Sequence, residues 1–378
     1  MKKFLITLVS ILAIIILAVA IVFGGKIRTV TGVHQVNGNE YLYEMDYSAS
    51  YDLDDLVAAD IDGNRELVKY ILDKLTFGLA DSDRIVSSGP AEDVGNGEHC
   101  TSFQTRNSEG DGWIFGRNYD YAKNPTLVLH SHPSDGYSSL SVCDLSHLGY
   151  KDGKLPKDFK SKLLCIAAVY APMDGINEKG LCTSIMALPN QAARQNTGKH
   201  VVGTSIIMRL WLDRCATVDE ALALLETVDV RHDAAAGSGY HYMLCDAEGN
   251  CAVVEFDPNK EWETMVIRKP VDSTYMHVTN HLLDPKYYTT EPDPVVGNPH
   301  SKSWWRYDCV VEYMAGHNDG VISLDEAQEC LAEVHWENLV WPNGMVETTQ
   351  YSNVYDQKAL TLRLRPWNDY GVTYNFSL

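Results

Sequence analysis

"CTSFQTRNSEGDGWIFGRNYDY" occupies Cys100–Tyr121. Two runs of strand-forming residues flank the polar, glycine-containing stretch Asn107–Gly112, the pattern of a β-hairpin. The hairpin opens on a cysteine and closes on Arg117 and Asp120. A thiol with a pKa of about 8.5 is only a few per cent thiolate at neutral pH, so a nucleophilic cysteine needs a base or a cationic neighbour. No histidine stands at a telling spacing. A chain cut just before Cys100 supplies the base itself, because the freed α-amine has a pKa of about 7.7–8.0 and belongs to the same residue as the thiol. Arg117 then stabilises the thiolate and Asp120 orients the amine. By chemistry alone, a buried strand cysteine beside a surface Arg–Asp pair describes the hairpin as well.

The residues before the hairpin fall into two parts. Met1, Lys2 and Lys3 precede Phe4–Phe23, which carries no charge. At about 1.5 Å per residue this run spans roughly 30 Å, the thickness of a bilayer core. It is longer than the apolar core of a cleavable signal, and Gly24-Gly25 is a poor cleavage site, so residues 1–23 are expected to form a signal anchor. The catalytic part is expected outside the cytoplasm, anchored to the membrane through residues 4–23, or secreted if this segment is removed. Residues 24–99 are rich in Gly, Asn and Asp up to residue 64. Leu67, Val68, Ile71, Leu72 and Leu75 then recur at helical spacing, which predicts a one-sided helix over Asn64–Leu79. "SSGPAEDVGNGE", Ser87–Glu98, reads as turn and loop.

Beyond the hairpin, strands dominate. The apolar runs around Asp174–Gly180 predict strands on either side of a turn, and "HYMLCDAEGNCAVVEFD" predicts another hairpin. Helices are expected at Ser205–Asp213, at Thr217–Glu226 with the capping pattern "TVDE", and from Ser323 with "SLDE". Strand hairpins with a few amphipathic helices imply layered sheets and helices. With 378 residues and 45% hydrophobic content the chain can bury a substantial core, and its net charge of −20 argues against a nucleic-acid partner. The nine cysteines are an odd number, so an exported chain keeps at least one thiol outside any intramolecular disulfide. Cys245 and Cys251 flank a turn and are expected to be plain core thiols.

The hairpin resembles the nucleophile hairpin of the choloylglycine hydrolase superfamily of linear-amide C–N hydrolases. "DGINEKGL" (Asp174–Leu181), "VTNH" (Val278–His281) and, more weakly, "SWWRYD" (Ser303–Asp308) are similar to further signatures of that superfamily, spaced as it spaces them. The resemblance implies an α+β, four-layer αββα N-terminal-nucleophile hydrolase fold over residues 100–378. Cys100 matches the nucleophile, Arg117 and Asp120 its holders, Asn280 the side-chain donor of the oxyanion hole, and Arg306 an active-site arginine. The second oxyanion donor would be a backbone N–H at Ala187, where bile salt hydrolases carry an asparagine. The long segment before the cysteine is similar to the acid ceramidase type, in which the leader is released by self-cleavage. Residues 24–99 are therefore expected to be a pro-segment whose helix stays docked as a small subunit. The implied activity is hydrolysis of a small-molecule N-acyl amide with no cofactor and no metal.

Two other patterns compete. "HSHPSDGYSSLSVCD" resembles the His-x-His…Ser-x-x-Asp site of JAMM-type zinc peptidases, with His130, His132 and Asp144 as ligands, although its spacer to Ser141 is one residue too long. "HNDGVISLDE" ends like a calcium loop, but Ala315 and His317 stand where acids are needed, so a turn and helix cap are expected. A catalytically silent binding protein on the same fold is a third possibility, against which the intact Cys100, Arg117, Asp120 and Asn280 speak.

Overall fold

In the computed structural model the hairpin forms where the sequence places it. Strand β3 (His99–Asn107) pairs antiparallel with β4 (Trp113–Ala122), and Cys100 lies opposite Tyr119, His99 opposite Asp120. The structure describes residues 24–76, 99–151, 153–189, 192–233, 238–287, 302–340, 344 and 346–378. The expected anchor at residues 4–23 and the loop Ser87–Glu98 lie outside these residues. Among the described residues no helix is long and apolar enough to cross a membrane.

The hairpin sits in one of two facing sheets. Its sheet runs from β14 (Tyr275–Val278) through β3 and β4 to β17 (Val346–Asp356), β18 (Thr361–Pro366) and β19 (Tyr374–Ser377). Short β15 (Val321–Ile322) joins β3, and β16 (Leu339–Val340) joins β17. The second sheet begins with β1 (His34–Gln35) and β2 (Leu42–Tyr47), followed by β5 (Thr126–Ser131) and β6 (Ser139–Asp144). It continues through β7 (Asp174–Asn177), β8 (Cys182–Leu188), β11 (Gly239–Cys245), β12 (Cys251–Asp257) and β13 (Glu263–Arg268). A separate parallel pair is formed by β9 (His200–Gly203) and β10 (Val228–Arg231).

Alternating side chains divide the layers. Arg117 and Ser102 face the second sheet, where Arg117 meets Asp174 on β7 and the Ser102 hydroxyl lies 3.0 Å from that of Ser184 on β8. Asn118, one residue on, points the other way and donates to the Leu331 carbonyl at 2.8 Å. That carbonyl belongs to α6 (Leu324–Glu333), which with α5 (Ser303–Gly316) covers the outer face of the first sheet. Helices α3 (Ile206–Arg214) and α4 (Val218–Leu225) form the layer on the other sheet, α3 packing on β7 and β8. The order is helix, sheet, sheet, helix, a mixed α+β architecture. Ser323 caps α6 with both bonds of a capping box, so the calcium-like stretch is a turn and a cap.

The segment before the hairpin is built into the fold. Besides α1 (Leu53–Ala58) and α2 (Asn64–Thr76), it supplies β1 and β2, and β2 runs parallel to β5 from Leu42 opposite Thr126 to Tyr47 opposite Ser131. Leu42, Tyr43, Met45 and Tyr47 are buried, and burial of such side chains stabilises by about 1.5–3 kcal/mol each. The sequence reading anticipated α2 and missed these two strands.

One stretch differs from expectation. Leu163–Tyr170 winds as a 3-10 helix, and Asp174–Asn177, expected to turn, is strand β7. An unbroken apolar run has no periodicity to separate strand from buried helix. Asp174 can lie in a strand between the sheets because Tyr351, Asn353 and Tyr355 all donate to its carboxylate.

Candidate active site

Cys100 is the second residue of β3 and 1% exposed. It stands at the start of its strand, where side chains from Asn280 and Arg306 reach its backbone. On the inner face Arg117 is fully buried. Its Nη1 lies 3.4 Å from the Ser102 hydroxyl and its Nε 3.8 Å from Asp174 Oδ2, while Nε and Nη2 have no hydrogen-bond partner. Burial works against the guanidinium charge, but the acidic groups around it, Cys100 first and Asp174 among them, hold its pKa above the usual value. A buried donor without a partner costs about 1–3 kcal/mol, so Arg117, although paired in charge with Asp174, keeps unused donor capacity at Nε and Nη2.

Asp120 lies on the opposite face. Thr349 donates to its Oδ1 at 2.6 Å, and Oδ2 has no partner. Burial raises its pKa from 3.8 to about 7, against the pull of Arg306 and the Thr349 hydroxyl. Three residues apart on a strand, Arg117 and Asp120 cannot share a face. They flank the start of β3 from two sides.

Asn280 and Arg306 complete the cluster. Asn280 follows β14 in the turn that leaves the first sheet. Its Oδ1 accepts from the Cys100 backbone N–H at 2.6 Å and from Arg306 Nη2 at 2.8 Å. Its Nδ2 donates to the Ala187 carbonyl at 2.8 Å, which ties the turn to β8. Arg306, fully buried on α5, also donates to the Cys100 carbonyl and to the Thr101 hydroxyl. Ser303, at the start of α5, accepts from the Asn280 N–H at 2.7 Å. Burial drives the neighbouring His281 pKa down to about 3, so its imidazole is neutral.

Asn280 and Arg306 thus meet on the Cys100 peptide, Ala187 binds Asn280, and Arg117 and Asp120 lie on the two faces of the strand paired with it. The sequence missed Asp174 as the counter-ion of Arg117, and it missed the grip on His99. The His99 Nδ1 lies 2.9 Å from the Oε1 of fully buried Glu347, and its ring meets Trp336 edge-on at 5.2 Å. Neither partner carries a signal at a readable spacing.

An apolar cleft lies near the cluster, lined by none of its residues. Ile185 shares a face of β8 with Ala187, and His147 lies 3.2 Å from the hydroxyl of Tyr119, the residue opposite Cys100. Leu67, Val68 and Ile71 of α2 close it. The concavity measures about 670 Å³, including the part that opens to solvent.

The zinc pattern does not assemble. His130 lies opposite Leu140, and Asp144 opposite Thr126, at the other end of the β5–β6 hairpin. His130 is taken up by Glu44 at 2.9 Å, and Asp144 caps Ser146. Among the described residues no three potential ligands cluster.

The family described as acyl-coenzyme A:6-aminopenicillanic acid acyl-transferase matches residues 105–364, and the chain belongs to it, within the choloylglycine hydrolase superfamily. The match includes Arg117, Asp120, Asn280 and Arg306 and begins just after Cys100. Two variant structures of the conjugated bile acid hydrolase from Clostridium perfringens superpose with a TM-score of 0.53 and 15% identity, over 74% of this chain and 92% of theirs. Penicillin V acylase from Agrobacterium tumefaciens gives 0.47 and 16%, over 71% of this chain and 83% of its own. No curated protein matches the sequence. The fold is a mixed α+β fold shared with N-terminal-nucleophile hydrolases, and the family match makes the chain an enzyme of acyl transfer.

Proposed function

We propose that this protein is a self-processing cysteine amidase that hydrolyses N-acyl amides with an apolar acyl part. The observation that carries the reading is the convergence of Asn280 and Arg306 on the Cys100 peptide, with Arg117 and Asp120 on either side. In the first event the Cys100 sulfur attacks the His99 carbonyl carbon. The C–N bond to Cys100 breaks, the nitrogen takes a proton, and water hydrolyses the resulting thioester. The freed α-amine then serves as base.

In turnover the thiol proton passes to this amine and the sulfur adds to the substrate carbonyl. Asn280 Nδ2 and the backbone N–H at Ala187 hold the oxyanion, each such donor lowering the barrier by roughly 3 kcal/mol. The amine product leaves with the proton, and water releases the acid. Arg117 favours the thiolate, Asp120 the ammonium, and Arg306 fixes Asn280 and the Cys100 carbonyl. No metal or cofactor enters these steps.

The apolar cleft beside Ala187 supports an apolar acyl group. The buried strand β2 supports retention of residues 24–99 as a small subunit after the cut. An anchor at residues 4–23, with catalysis outside the cytoplasm, fits a substrate that concentrates at membranes. Intact mass and N-terminal sequencing test the reading. Two pieces are expected, the larger beginning Cys-Thr-Ser, and a fully active uncut chain would sink it.

A further inference from the structure

The buried pair His241–Glu255 has no part in the reaction as described, yet it grips the turn that carries Asn280. His241 lies on β11 and Glu255 on the adjacent β12, and both are fully buried. The imidazole Nδ1 lies 3.2 Å from Glu255 Oε1, and Nε2 lies 2.7 Å from the carbonyl oxygen of Thr279, the residue before Asn280. Glu255 also accepts from the backbone N–H groups of Leu283 at 2.7 Å and Asp284 at 3.4 Å. The pair therefore holds the turn at both ends, from the sheet opposite the one that the turn leaves.

A carbonyl oxygen only accepts, so Nε2 carries a proton, and Nδ1 faces a carboxyl group that must share another with it. Buried groups of this kind stay only where their partners are complete, because each broken bond strands the other member. Apolar side chains would fill the same space at lower risk, but they could not orient a backbone carbonyl. We infer that His241 and Glu255 are positioning residues for Asn280. They fix the turn so that the side-chain amide stands between Cys100 and Ala187.

The inference rests on the oxyanion role proposed for Asn280, and the test separates the two. His241→Ala, His241→Gln and Glu255→Gln would be assayed on a fatty acyl p-nitroanilide, alone and with Asn280→Ala, using active-site-titrated full-length protein. A displaced oxyanion donor lowers kcat by about tenfold or more, and KM should stay within about twofold, since the donor acts on developing charge. His241→Gln, whose amide can still donate towards Thr279, should recover most of the loss. In the Asn280→Ala background the His241 and Glu255 substitutions should cost nothing further. An unchanged kcat in the folded single variants, or the same loss with and without Asn280, would overturn the inference. Should His241→Ala not fold, the two glutamine variants carry the same comparison. A wild-type kcat in Asn280→Ala alone would instead overturn the oxyanion role.

Discussion

Asn280 accepts the backbone N–H of Cys100 at 2.6 Å and donates through Nδ2 to the carbonyl of Ala187 at 2.8 Å. One side chain thus spans the nitrogen that self-cleavage would free and the strand that would bind the oxyanion. A primary amide carries two N–H donors. This Nδ2 group is the one proposed to hold the oxyanion. Asn280→Ala should lower kcat about a hundredfold, the usual effect of removing one such donor, with a smaller change in KM. Self-cleavage should slow as well. Steady-state kinetics on active-site-titrated protein check this, and an unchanged kcat would remove Asn280 from the chemistry.

Thiol modification should depend on processing. Cys100 is 1% exposed in the uncut chain. Burial raises the pKa of Cys143, Cys165, Cys182, Cys215, Cys245, Cys309 and Cys330. These thiols are poor nucleophiles at neutral pH. Iodoacetamide should therefore label Cys100 first, at a rate that rises as processing proceeds, and activity should fall with that labelling. Peptide mapping over a processing time course reads both. Chelators should leave activity intact, and a loss in EDTA reversed by zinc would reopen the His130/His132/Asp144 reading.

Asp120 should leave a pH signature in the uncut protein. Its pKa is raised by burial from 3.8 to about 7. Between these values the folded state holds a proton that the unfolded state has released, so this group's contribution to stability falls as pH rises from about 4 to 7. Above both values the difference is constant. Thermal melts of Cys100→Ala should show a larger drop in Tm from pH 4.5 to 7.5 than melts of Cys100→Ala/Asp120→Asn. Identical slopes would mean that Asp120 is not held protonated by its surroundings.

Much of the site was legible because its residues sit in or beside local patterns. The hairpin turn at Asn107–Gly112, the paired strands around it and the "VTNH" turn place Cys100, Arg117 and Asn280 within short, strongly patterned segments. What escaped depends on contacts between distant parts of the chain. The strand Leu42–Tyr47 gains its place from pairing with the distant Thr126–Ser131. The burial of Asp174 is tolerable only because three donors arrive from Tyr351, Asn353 and Tyr355. The zinc-like histidines failed for the complementary reason: the pattern was local, but the β5–β6 register sets Asp144 four residues from His130's partner, roughly 13 Å along the strand.

The α2 wall of the cleft should set acyl length. Leu67, Val68 and Ile71 wall one side of a concavity of about 670 Å³ that opens to solvent. A long acyl chain seated there would lie against this wall. Ile71→Trp should lower kcat/KM for a long-chain N-acyl amide by about tenfold, the order that extra or missing methylenes command in an apolar pocket, and spare an acetyl or butyryl amide. Ile71→Ala should shift preference towards longer chains. Equal effects on short and long substrates would place the acyl group elsewhere.

Self-cleavage would leave His99 as the last residue of the small subunit. His99 begins β3, and its ring is fixed by Glu347 at 2.9 Å and by the edge of Trp336. Glu347 is fully buried on β17, while the His99 side chain is only 14% exposed. The carbonyl that Cys100 would attack in self-cleavage belongs to His99, so anything that fixes this side chain also helps fix the electrophile. Cleavage within one chain gains its rate from such alignment, and small misplacements are expensive. Glu347→Gln preserves shape and one acceptor but removes the charge, and Glu347→Ala removes the grip altogether. Self-cleavage should slow in the order wild type, Gln, Ala, by about tenfold or more for Ala. Activity per processed molecule should change less, since His99 is no longer joined to the nucleophile. A gel time course of freshly synthesised protein, followed by assay of the processed fraction, separates the two effects. A Glu347→Ala chain that processes at the wild-type rate would show that the His99 pair holds the strand without presenting the bond.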